Sequence, residues 1–319
     1  MIVTLTANPA LDRTIVLDGG LLPGAVQTAV SQREDAGGKG VNVSRACAGA
    51  GVPTIAVVPL SAEDPYAAAL RATGLPTRVV PVHGQVRTNL ALTDAEGVTT
   101  KINLPGEALD VTDRGALIAA LVEAARGATW VVLAGSTPPG VGEDFYVDVI
   151  ASLRGDAARA GIAPPRIAVD TSGPALSAVV ESAHPDLIKP NDEELAQLAG
   201  ARFDPGRELR TEVVRVARAL VPAKVAAALV TLGEDGAILV TGDTLLHAAP
   251  PPITVRSTVG AGDSSLAGYL LADAAGAEPD ERLRNAVRYG AAAASLPGTQ
   301  IPTPRDLPSG EVALTPLAP

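Results

Sequence analysis

A glycine-rich segment late in the chain has the composition of a phosphate-transfer site. It consists of Gly260, Ala261, Gly262 and Asp263 and stands directly before a run at helical spacing. Backbone N–H groups at the start of a helix lack intrahelical acceptors and lie at the positive end of the helix dipole, so they can bind phosphate oxygens. Asp263 could accept the proton of a hydroxyl that attacks phosphorus. Alternatively, Asp263 caps the helix, and this segment alone leaves both interpretations open.

A second glycine cluster also precedes a helical run. Its members are Gly37, Gly38, Lys39, Gly40 and Asn42. It is not a Walker A loop, because Gly40 rather than Ser or Thr follows the lysine. Close backbone approach, together with an amide that donates and accepts, suits a polyhydroxylated ligand. The alternative is a tight strand-to-helix turn without a ligand.

The elements that would position these segments alternate along the chain. Apolar runs predict buried parallel strands at Ile2–Thr6, Ile55–Leu60, Trp130–Ala134, Ile167–Val169, Leu187–Ile188 and Ala226–Leu232. Helices are predicted at Gly40–Ala50, Asp113–Arg126, Asp192–Leu198, Arg210–Leu220, Ser264–Ala275 and Asp280–Leu296. This alternation predicts a doubly wound or three-layer α/β/α domain over residues 1–300, with a mostly parallel central sheet.

Two regions depart from this alternation. Residues 13–33 and 86–103 carry alternating apolar and polar positions around glycine-containing turns, which predicts antiparallel strands. We expect them to form a small β-sheet that acts as a lid. Residues 301–319 contain repeated prolines and are expected to be an extended, peripheral C-terminal tail.

Composition excludes several classes of function. The net charge of −10 and an aromatic content of 2% argue against a nucleic-acid module or an anionic-membrane surface. No apolar stretch reaches the roughly 18 residues that span a bilayer. The single cysteine, Cys47, cannot form an intrachain disulfide, and the first residues lack the pattern of a secretion signal. We therefore expect a cytoplasmic protein.

The ordered set of motifs resembles the PfkB (ribokinase-like) family of carbohydrate kinases, and most closely its branch of 1-phosphofructokinase and tagatose-6-phosphate kinase. The resemblance extends from Met1 to about residue 300. Beside the two glycine clusters, it rests on Asn8–Asp12, Arg87–Asn89, Gly135–Gly140, Asp170–Gly173, Lys189–Glu194 and Thr231–Gly233. Their common order makes coincidence improbable.

The resemblance implies a sugar-phosphate subsite. Asp12 would bind sugar hydroxyls next to the Gly37–Gly38 backbone, and Arg87 would hold the substrate's existing phosphate with its planar guanidinium. The full set of implied substrate residues is Asp12, Gly37, Gly38, Lys39, Asn42, Arg87, Lys101, Asn103 and Ser136. The alternative for Lys101 is that it is a solvated charge on the surface of the lid and binds no substrate.

The resemblance also implies a subsite for ATP and Mg²⁺. Asn191 and Glu194 would position the magnesium ion through water, without a direct protein ligand. The implied nucleotide residues are Lys189, Asn191, Glu194, Thr231, Gly233, Gly236, Ser257 and Asn285. Two of them have structural alternatives: Glu194 as an acid in the first turn of a helix, and Asn285 as a satisfied polar residue on a helix.

The implied reaction is phosphorylation of a sugar phosphate, first fructose 1-phosphate to fructose 1,6-bisphosphate, with Asp263 as general base and Gly260, Ala261 and Gly262 as the anion hole. The second candidate substrate is tagatose 6-phosphate or fructose 6-phosphate, and the third is an unphosphorylated sugar or a nucleoside. Departures from the family pattern at Val57–Asp64 and Thr137 bear on substrate identity. A non-catalytic sugar-phosphate sensor is the competing class, which the intact Gly260–Asp263 segment disfavours. An exposed lid edge is compatible with a homodimer.

Overall fold

The apolar runs form strands in a large sheet, and the alternating regions form a second sheet. A computed structural model describes residues 1–204 and 206–318. The strands, numbered in chain order, are β1 (Ile2–Leu5), β2 (Ala10–Leu17), β3 (Ala29–Gly37), β4 (Thr54–Leu60), β5 (Thr77–Pro81), β6 (Arg87–Thr93), β7 (Thr99–Asn103), β8 (Trp130–Ala134), β9 (Arg166–Asp170), β10 (Leu187–Ile188), β11 (Ala228–Thr231), β12 (Ala237–Val240), β13 (Leu245–Ala249) and β14 (Ala313–Pro316).

Helices connect most of these strands. They are α1 (Lys39–Gly49), α2 (Pro65–Ala72), α3 (Val111–Ala124), α4 (Phe145–Ala160), α5 (Gly173–Ser182), α6 (Asp192–Leu198), α7 (Leu209–Leu220), α8 (Ala261–Ala274) and α9 (Pro279–Ser295). Among the residues described, no helix is long and apolar enough to cross a membrane.

The main sheet has the strand order β14-β13-β12-β11-β10-β9-β8-β1-β4-β5. All six strands predicted from apolar runs are present, and they pair in parallel with one another as a continuous part of the sheet. The strands are apolar on both faces because both faces are covered. Val131 and Leu133 of β8 pack into the cluster that contains α3 to α7, whereas Val132 packs on the other side with α1, α8 and α9. Because helices cover both faces of the sheet, the domain has three layers.

The small sheet has the order β3-β2-β6-β7 and is called the lid below. β2 pairs antiparallel with β3 but parallel with β6. Its strands reach beyond the predicted segments, from Ala10 and as far as Gly37, because the small buried residues at these ends break the alternation of polar and apolar positions. Asp35, Asp12, Asn89 and Asn103 are register partners in one row across the lid, so their side chains share a face.

The structure adds elements that the sequence patterns did not predict. Helices α2, α4 and α5 lie in stretches rich in Gly, Pro or Ala, which weaken the periodic signal. In the C-terminal tail, residues 313–316 pair antiparallel with β13 as an edge strand. Val312 just before it is fully buried, so this part of the tail is integrated into the main sheet.

Candidate active site

Asp263 lies in the first turn of α8 but does not cap it. The N-cap is Gly260, in the left-handed conformation with φ 75°, and no side chain bonds to the first-turn amides. A glycine is needed there because side chains disfavour positive φ. The Asp263 carboxylate is 7% exposed and accepts a hydrogen bond of 2.9 Å from Asn42 Nδ2 at the start of α1. No side chain of the described residues therefore occupies the amides of the Gly260–Asp263 segment, although the Ala261 amide donates weakly to the Thr258 carbonyl at 3.4 Å.

The environment of Asp263 increases its affinity for a proton. Burial raises its pKa to about 6, and the negative charge of Asp170 adds to this effect. The positive charge of Lys39 and the Asn42 hydrogen bond act in the opposite direction. A carboxylate with this pKa is ionised at neutral pH and still binds a proton well, which is what a general base needs.

Asp170 holds two lysines beside Asp263. It ends strand β9, is fully buried, and pairs with Lys39 Nζ at 2.7 Å and Lys189 Nζ at 3.2 Å. Burial alone would raise its pKa, but the two ammonium groups outweigh burial and lower it. Lys189 Nζ also lies close to Gly262, where a Cβ atom would come within 3.1 Å of it. A buried cation thus borders the segment that could bind phosphate.

Lys39 is the first residue of α1 and reaches the Asp170 carboxylate. The sequence resemblance assigned it to the sugar, whereas in the structure its ammonium binds Asp170. This ion pair is the main reason why the pKa of Lys39 is raised, and Asp263 contributes further. The side chain is 36% exposed, so it can contact a ligand while remaining near Asp170.

On the lid, Asp12 faces the glycine cluster. Asp12 Oδ1 accepts a hydrogen bond of 2.9 Å from Asn89 Nδ2. Its other oxygen lies over Gly37, where a Cβ atom would stand only 2.0 Å from Oδ2. Asn89 Oδ1 is buried and has no hydrogen-bond partner among the residues described. An unpaired buried acceptor is costly, and a sugar hydroxyl is a fitting donor for it.

The glycine cluster is also a tight turn from the lid into α1. Gly38 has φ 120°, and a Cβ atom there would lie 2.6 Å from Thr6 Cγ2. Thr6 Oγ1 accepts a hydrogen bond of 2.9 Å from the Val41 amide. The tight turn that the sequence left as one alternative is therefore present, and it is compatible with a ligand at the same residues.

Arg87 and Ser136 border a cavity of about 520 Å³. Asn8 links them, since its Nδ2 lies 3.3 Å from Ser136 Oγ and its carbonyl accepts a weak bond of 3.4 Å from Arg87 Nε. Arg87 Nη1 donates to the Leu104 carbonyl at 3.2 Å. Burial lowers the pKa of Arg87, but a guanidinium remains cationic at neutral pH. The cavity thus has a fixed cation and a hydroxyl, which suits a phosphate group.

Lys101 and Asn103 occupy β7, the outer strand of the lid, and both are exposed. Asn103 is the register partner of Asn89 and shares the face of Asp12. Lys101 lies two positions away on the same face, close enough for its charge to lower the pKa of Asp12 slightly against the larger effect of burial. Neither residue lines the cavity beside Arg87.

Asn191 and Glu194 form a capping box at the start of α6. Asn191 Oδ1 accepts from the Glu194 amide at 2.7 Å, and Glu194 Oε2 accepts from the Asn191 amide at 3.0 Å. The arrangement leaves Glu194 Oε1 for a water ligand of a metal ion. No group of three His, Cys, Asp or Glu side chains with metal-binding geometry occurs among the described residues. This donor set fits a magnesium ion that keeps its waters and is held mainly by nucleotide phosphates.

The predicted nucleotide loop lies next to Asn191. Thr231 forms a parallel bridge with Asn191, and the turn after it contains Gly233 and Gly236. Gly236 has φ 88°, and a Cβ atom there would meet the Ala248 carbonyl at 1.9 Å, so only glycine fits. The loop is therefore held firmly against β13.

Ser257 and Asn285 are engaged by the protein itself. Ser257 Oγ accepts a hydrogen bond of 3.2 Å from the Val259 amide in the approach to α8. Asn285 Nδ2 donates to the Gly268 carbonyl at 2.6 Å and fastens α9 to α8. Through this hydrogen bond Asn285 is a satisfied polar residue on a helix, which is the alternative that the sequence offered for it.

The chain matches known proteins over most of its length. The pfkB family of carbohydrate kinases matches the chain over residues 8–306. A 1-phosphofructokinase from Rhodobacter capsulatus is 37% identical over 312 residues, which cover 96% of this chain and 94% of that protein. The ATP-dependent 6-phosphofructokinase isozyme 2 of Escherichia coli is 31% identical over 303 residues, which cover 94% of each chain.

A solved structure shows the same fold. The crystal structure of phosphofructokinase-2 from Escherichia coli in complex with substrates and products aligns over 96% of each chain, with a TM-score of 0.85 and 31% identity. The predicted ribokinase-like α/β class, with its mostly parallel sheet and small second sheet, is confirmed. With its family match, its relatives and its fold in agreement, this chain belongs to the pfkB family of carbohydrate kinases.

Proposed function

We propose that this protein is an ATP-dependent kinase that phosphorylates fructose 1-phosphate to fructose 1,6-bisphosphate. One contact carries the proposal: the hydrogen bond of 2.9 Å from Asn42 to Asp263. It joins the helix that follows the sugar-side glycine cluster to the helix that begins at the candidate anion hole. A hydroxyl that approaches Asn42 therefore lies near both a carboxylate base and the backbone amides at the start of α8.

Asp263 takes the proton in this scheme. The sugar hydroxyl oxygen forms a bond to the γ-phosphorus, and the bond from that phosphorus to the bridging oxygen of ADP breaks. The hydroxyl proton passes to Asp263, and ADP leaves with the bond's electron pair. The amides of Gly260, Ala261 and Gly262 stabilise charge on the transferring group, as does the nearby Lys189 ammonium. Magnesium bound to the nucleotide would neutralise phosphate charge, with Asn191 and Glu194 holding its waters.

Arg87 and Asp12 orient the acceptor. Arg87 and Ser136 would bind the phosphate that the sugar already carries, in the cavity that they border. Asp12 Oδ2, which lies over Gly37, would accept hydrogen bonds from sugar hydroxyls. Holding both ends of the substrate selects the hydroxyl that faces Asp263.

Fructose 6-phosphate is the second candidate substrate. The Escherichia coli relative named as a 6-phosphofructokinase covers as much of the chain as the 1-phosphofructokinases do, at 31% identity. In both substrates the phosphate and the accepting hydroxyl stand at opposite ends, C1 and C6, so contacts to the ring hydroxyls between Arg87 and Asp263 must discriminate them. The higher identity of 37% to the 1-phosphofructokinase of Rhodobacter capsulatus favours fructose 1-phosphate.

We further propose that the protein forms a homodimer through the lid. Both outer strands of the lid carry exposed apolar side chains, Val30 at 65% and Ile102 at 47% exposure. Exposed sheet edges of this kind favour pairing with another chain. Light scattering of the purified protein, compared with the Ile102→Lys variant, tests the proposal. A monomeric wild type would overturn it.

A substrate panel tests the activity. Purified protein is incubated with ATP, Mg²⁺ and each candidate sugar or sugar phosphate, and phosphorus NMR identifies the phosphorylated position. Formation of fructose 1,6-bisphosphate from fructose 1-phosphate, at a higher kcat/KM than from fructose 6-phosphate, is expected. Binding of a sugar phosphate without ATP consumption would instead indicate a sensor.

A further inference from the structure

A single hydrogen bond ties the lid to the segment after the last helix. Thr299 Oγ1 donates to Asp35 Oδ2 at 2.7 Å, across 264 positions of the chain. Thr299 follows α9, and Asp35 lies on β3 of the lid. No role in the proposed reaction has been given to either residue so far.

Asp35 lies next to the sugar-binding carboxylate. It is the register partner of Asp12, so the two side chains stand side by side on one face of the lid. Thr299 takes one oxygen of Asp35, and Arg33 takes the other with bonds of 3.0 Å from Nε and 2.7 Å from Nη2. With both oxygens engaged, Asp35 is fixed beside Asp12.

The same segment reaches the phosphoryl-transfer loop. Ile301, two residues after Thr299, packs against Gly260, where a Cβ atom would lie 3.6 Å from Ile301 Cδ1. The segment begins just after Ala294, whose carbonyl accepts the amides of Arg256 at 2.8 Å and Ser257 at 3.3 Å. Residues 299–301 thus contact the lid on one side and the N-cap of α8 on the other.

We propose that Thr299 is a positioning residue that holds the sugar-binding face of the lid in register with the Gly260–Asp263 loop. This inference rests on the proposed function. The Thr299 hydroxyl acts through Asp35 and β3 on Asp12, and it touches no reacting atom. Without it, β3 loses its direct side-chain bond to this segment, and the sugar is held less firmly relative to the γ-phosphate. Water can then compete as phosphoryl acceptor.

Three variants isolate this bond. Thr299→Val keeps the shape of the side chain and removes the hydroxyl, whereas Thr299→Ser keeps the hydroxyl. Thr303→Val is the matched control, because Thr303 Oγ1 also bonds a carboxylate at 2.7 Å, that of Asp306, but does so within its own loop. All three are assayed for KM of fructose 1-phosphate, KM of ATP, kcat, and the ATP hydrolysed per sugar phosphorylated.

Thr299→Val is expected to raise KM for the sugar phosphate about tenfold, as the loss of a hydrogen bond to a charged group does. It should also increase ATP hydrolysis to water relative to transfer, with little change in KM for ATP. Thr299→Ser and Thr303→Val should behave like wild type. The inference would be overturned if Thr299→Val kept the wild-type KM for the sugar phosphate and the wild-type ratio of ATP hydrolysed per sugar phosphorylated. It would also be overturned if Thr303→Val showed the same rise in both quantities.

Hydrogen exchange provides a test that needs no turnover. Amides of β3 should exchange faster in free Thr299→Val than in wild type, and no faster in Thr303→Val. Equal exchange in all proteins would contradict the positioning role even if wild type phosphorylates the sugar. If wild type is inactive but the β3 amides still exchange faster in Thr299→Val, the Thr299–Asp35 bond does hold the lid and the proposed function is wrong.

Discussion

Asn42 donates from Nδ2 to Oδ2 of Asp263 over 2.9 Å, and the two residues are 221 positions apart in the chain. The bond joins the first turns of α1 and α8, so the positive ends of two helix dipoles converge on one place. In a protein of net charge −10, this convergence and the lysines at Asp170 place positive groups where the proposed phosphates would bind.

Replacing Asp263 with Asn tests the base. The amide fills the same space but cannot take the hydroxyl proton, so kcat should fall about 10³-fold. Folding should not suffer, because burial already disfavours the charged form of this carboxyl. The measurement is kcat with a thermal melt alongside, and Asp280→Asn, at the exposed start of α9, is the control. Near-normal turnover in Asp263→Asn would remove the base assignment.

The pH dependence follows from the same residue. Since the pKa of Asp263 is raised to about 6, kcat/KM should fall as the pH drops through that value and the base becomes protonated. The negative charge of Asp170 contributes to the raised pKa, so Asp170→Asn should move the acidic limb to lower pH in whatever activity it retains. A limb that stays in place in Asp170→Asn would show that another group titrates.

Asp170 should also matter for stability. Removing its charge leaves the buried Lys189 ammonium without its partner, which should cost about 3 kcal/mol of unfolding free energy at pH 7. The pKa of Asp170 is lowered in the folded protein, so its stabilising effect is present above the unfolded pKa and is lost as the pH falls through the folded pKa. Urea unfolding should therefore separate wild type from Asp170→Asn at pH 7 and bring them closer in strong acid. A constant difference would contradict the linkage.

Arg87 is expected to read the phosphate on the sugar. Arg87→Ala should raise KM for fructose 1-phosphate about 100-fold, since it removes a charged partner from a part-buried site. KM for unphosphorylated fructose and for ATP should change much less. Arg78→Ala serves as control, because Arg78 forms an exposed ion pair with Glu123 away from the cavity. Equal effects on fructose and on its phosphate would exclude the assigned role.

Gly37 provides a steric test of the sugar subsite. Its φ lies outside the left-handed region, so alanine strains no backbone, yet the added Cβ would lie 2.0 Å from Asp12 Oδ2 and displace it. KM for the sugar phosphate should rise at least about tenfold with the ATP KM nearly unchanged. Gly115→Ala, on the exposed face of α3 with nothing within 4 Å, should leave both constants as in wild type. Unchanged sugar binding in Gly37→Ala would show that Asp12 does not contact the sugar.

Much of the main sheet could be predicted because its strands are short and apolar on both faces. Trp130–Ala134, Leu187–Ile188 and the helix Asp192–Leu198 begin and end where expected, since turn residues or caps flank them. Helix α8 begins three residues earlier than predicted. The left-handed Gly260 starts the helix, and Gly262 continues it despite its weak helix propensity.

The site itself could be predicted only in part. The Asn42–Asp263 contact needs two helix starts to converge, and no local pattern encodes that distance. Asp170 could have been found from the sequence, because a carboxylate that ends an apolar parallel strand lies at the same edge of the sheet as the ends of the neighbouring strands. The sequence left Asn285 open between a nucleotide contact and a satisfied polar residue, because its engaged amide depends on how closely α9 packs on α8.

The parallel pairing of β2 with β6 governs when the lid can be built. A parallel pair cannot be closed by a tight turn, and the chain between these strands first supplies β3, α1, β4, α2 and β5. During synthesis, β2 and β3 therefore emerge before β6, and the edge of β2 that pairs with β6 has no partner until β6 is made. Because β6 follows β4 and β5 in the chain, the lid cannot be completed before those strands of the main sheet are synthesised, and until then the unpaired edge of β2 is exposed to wrong partners.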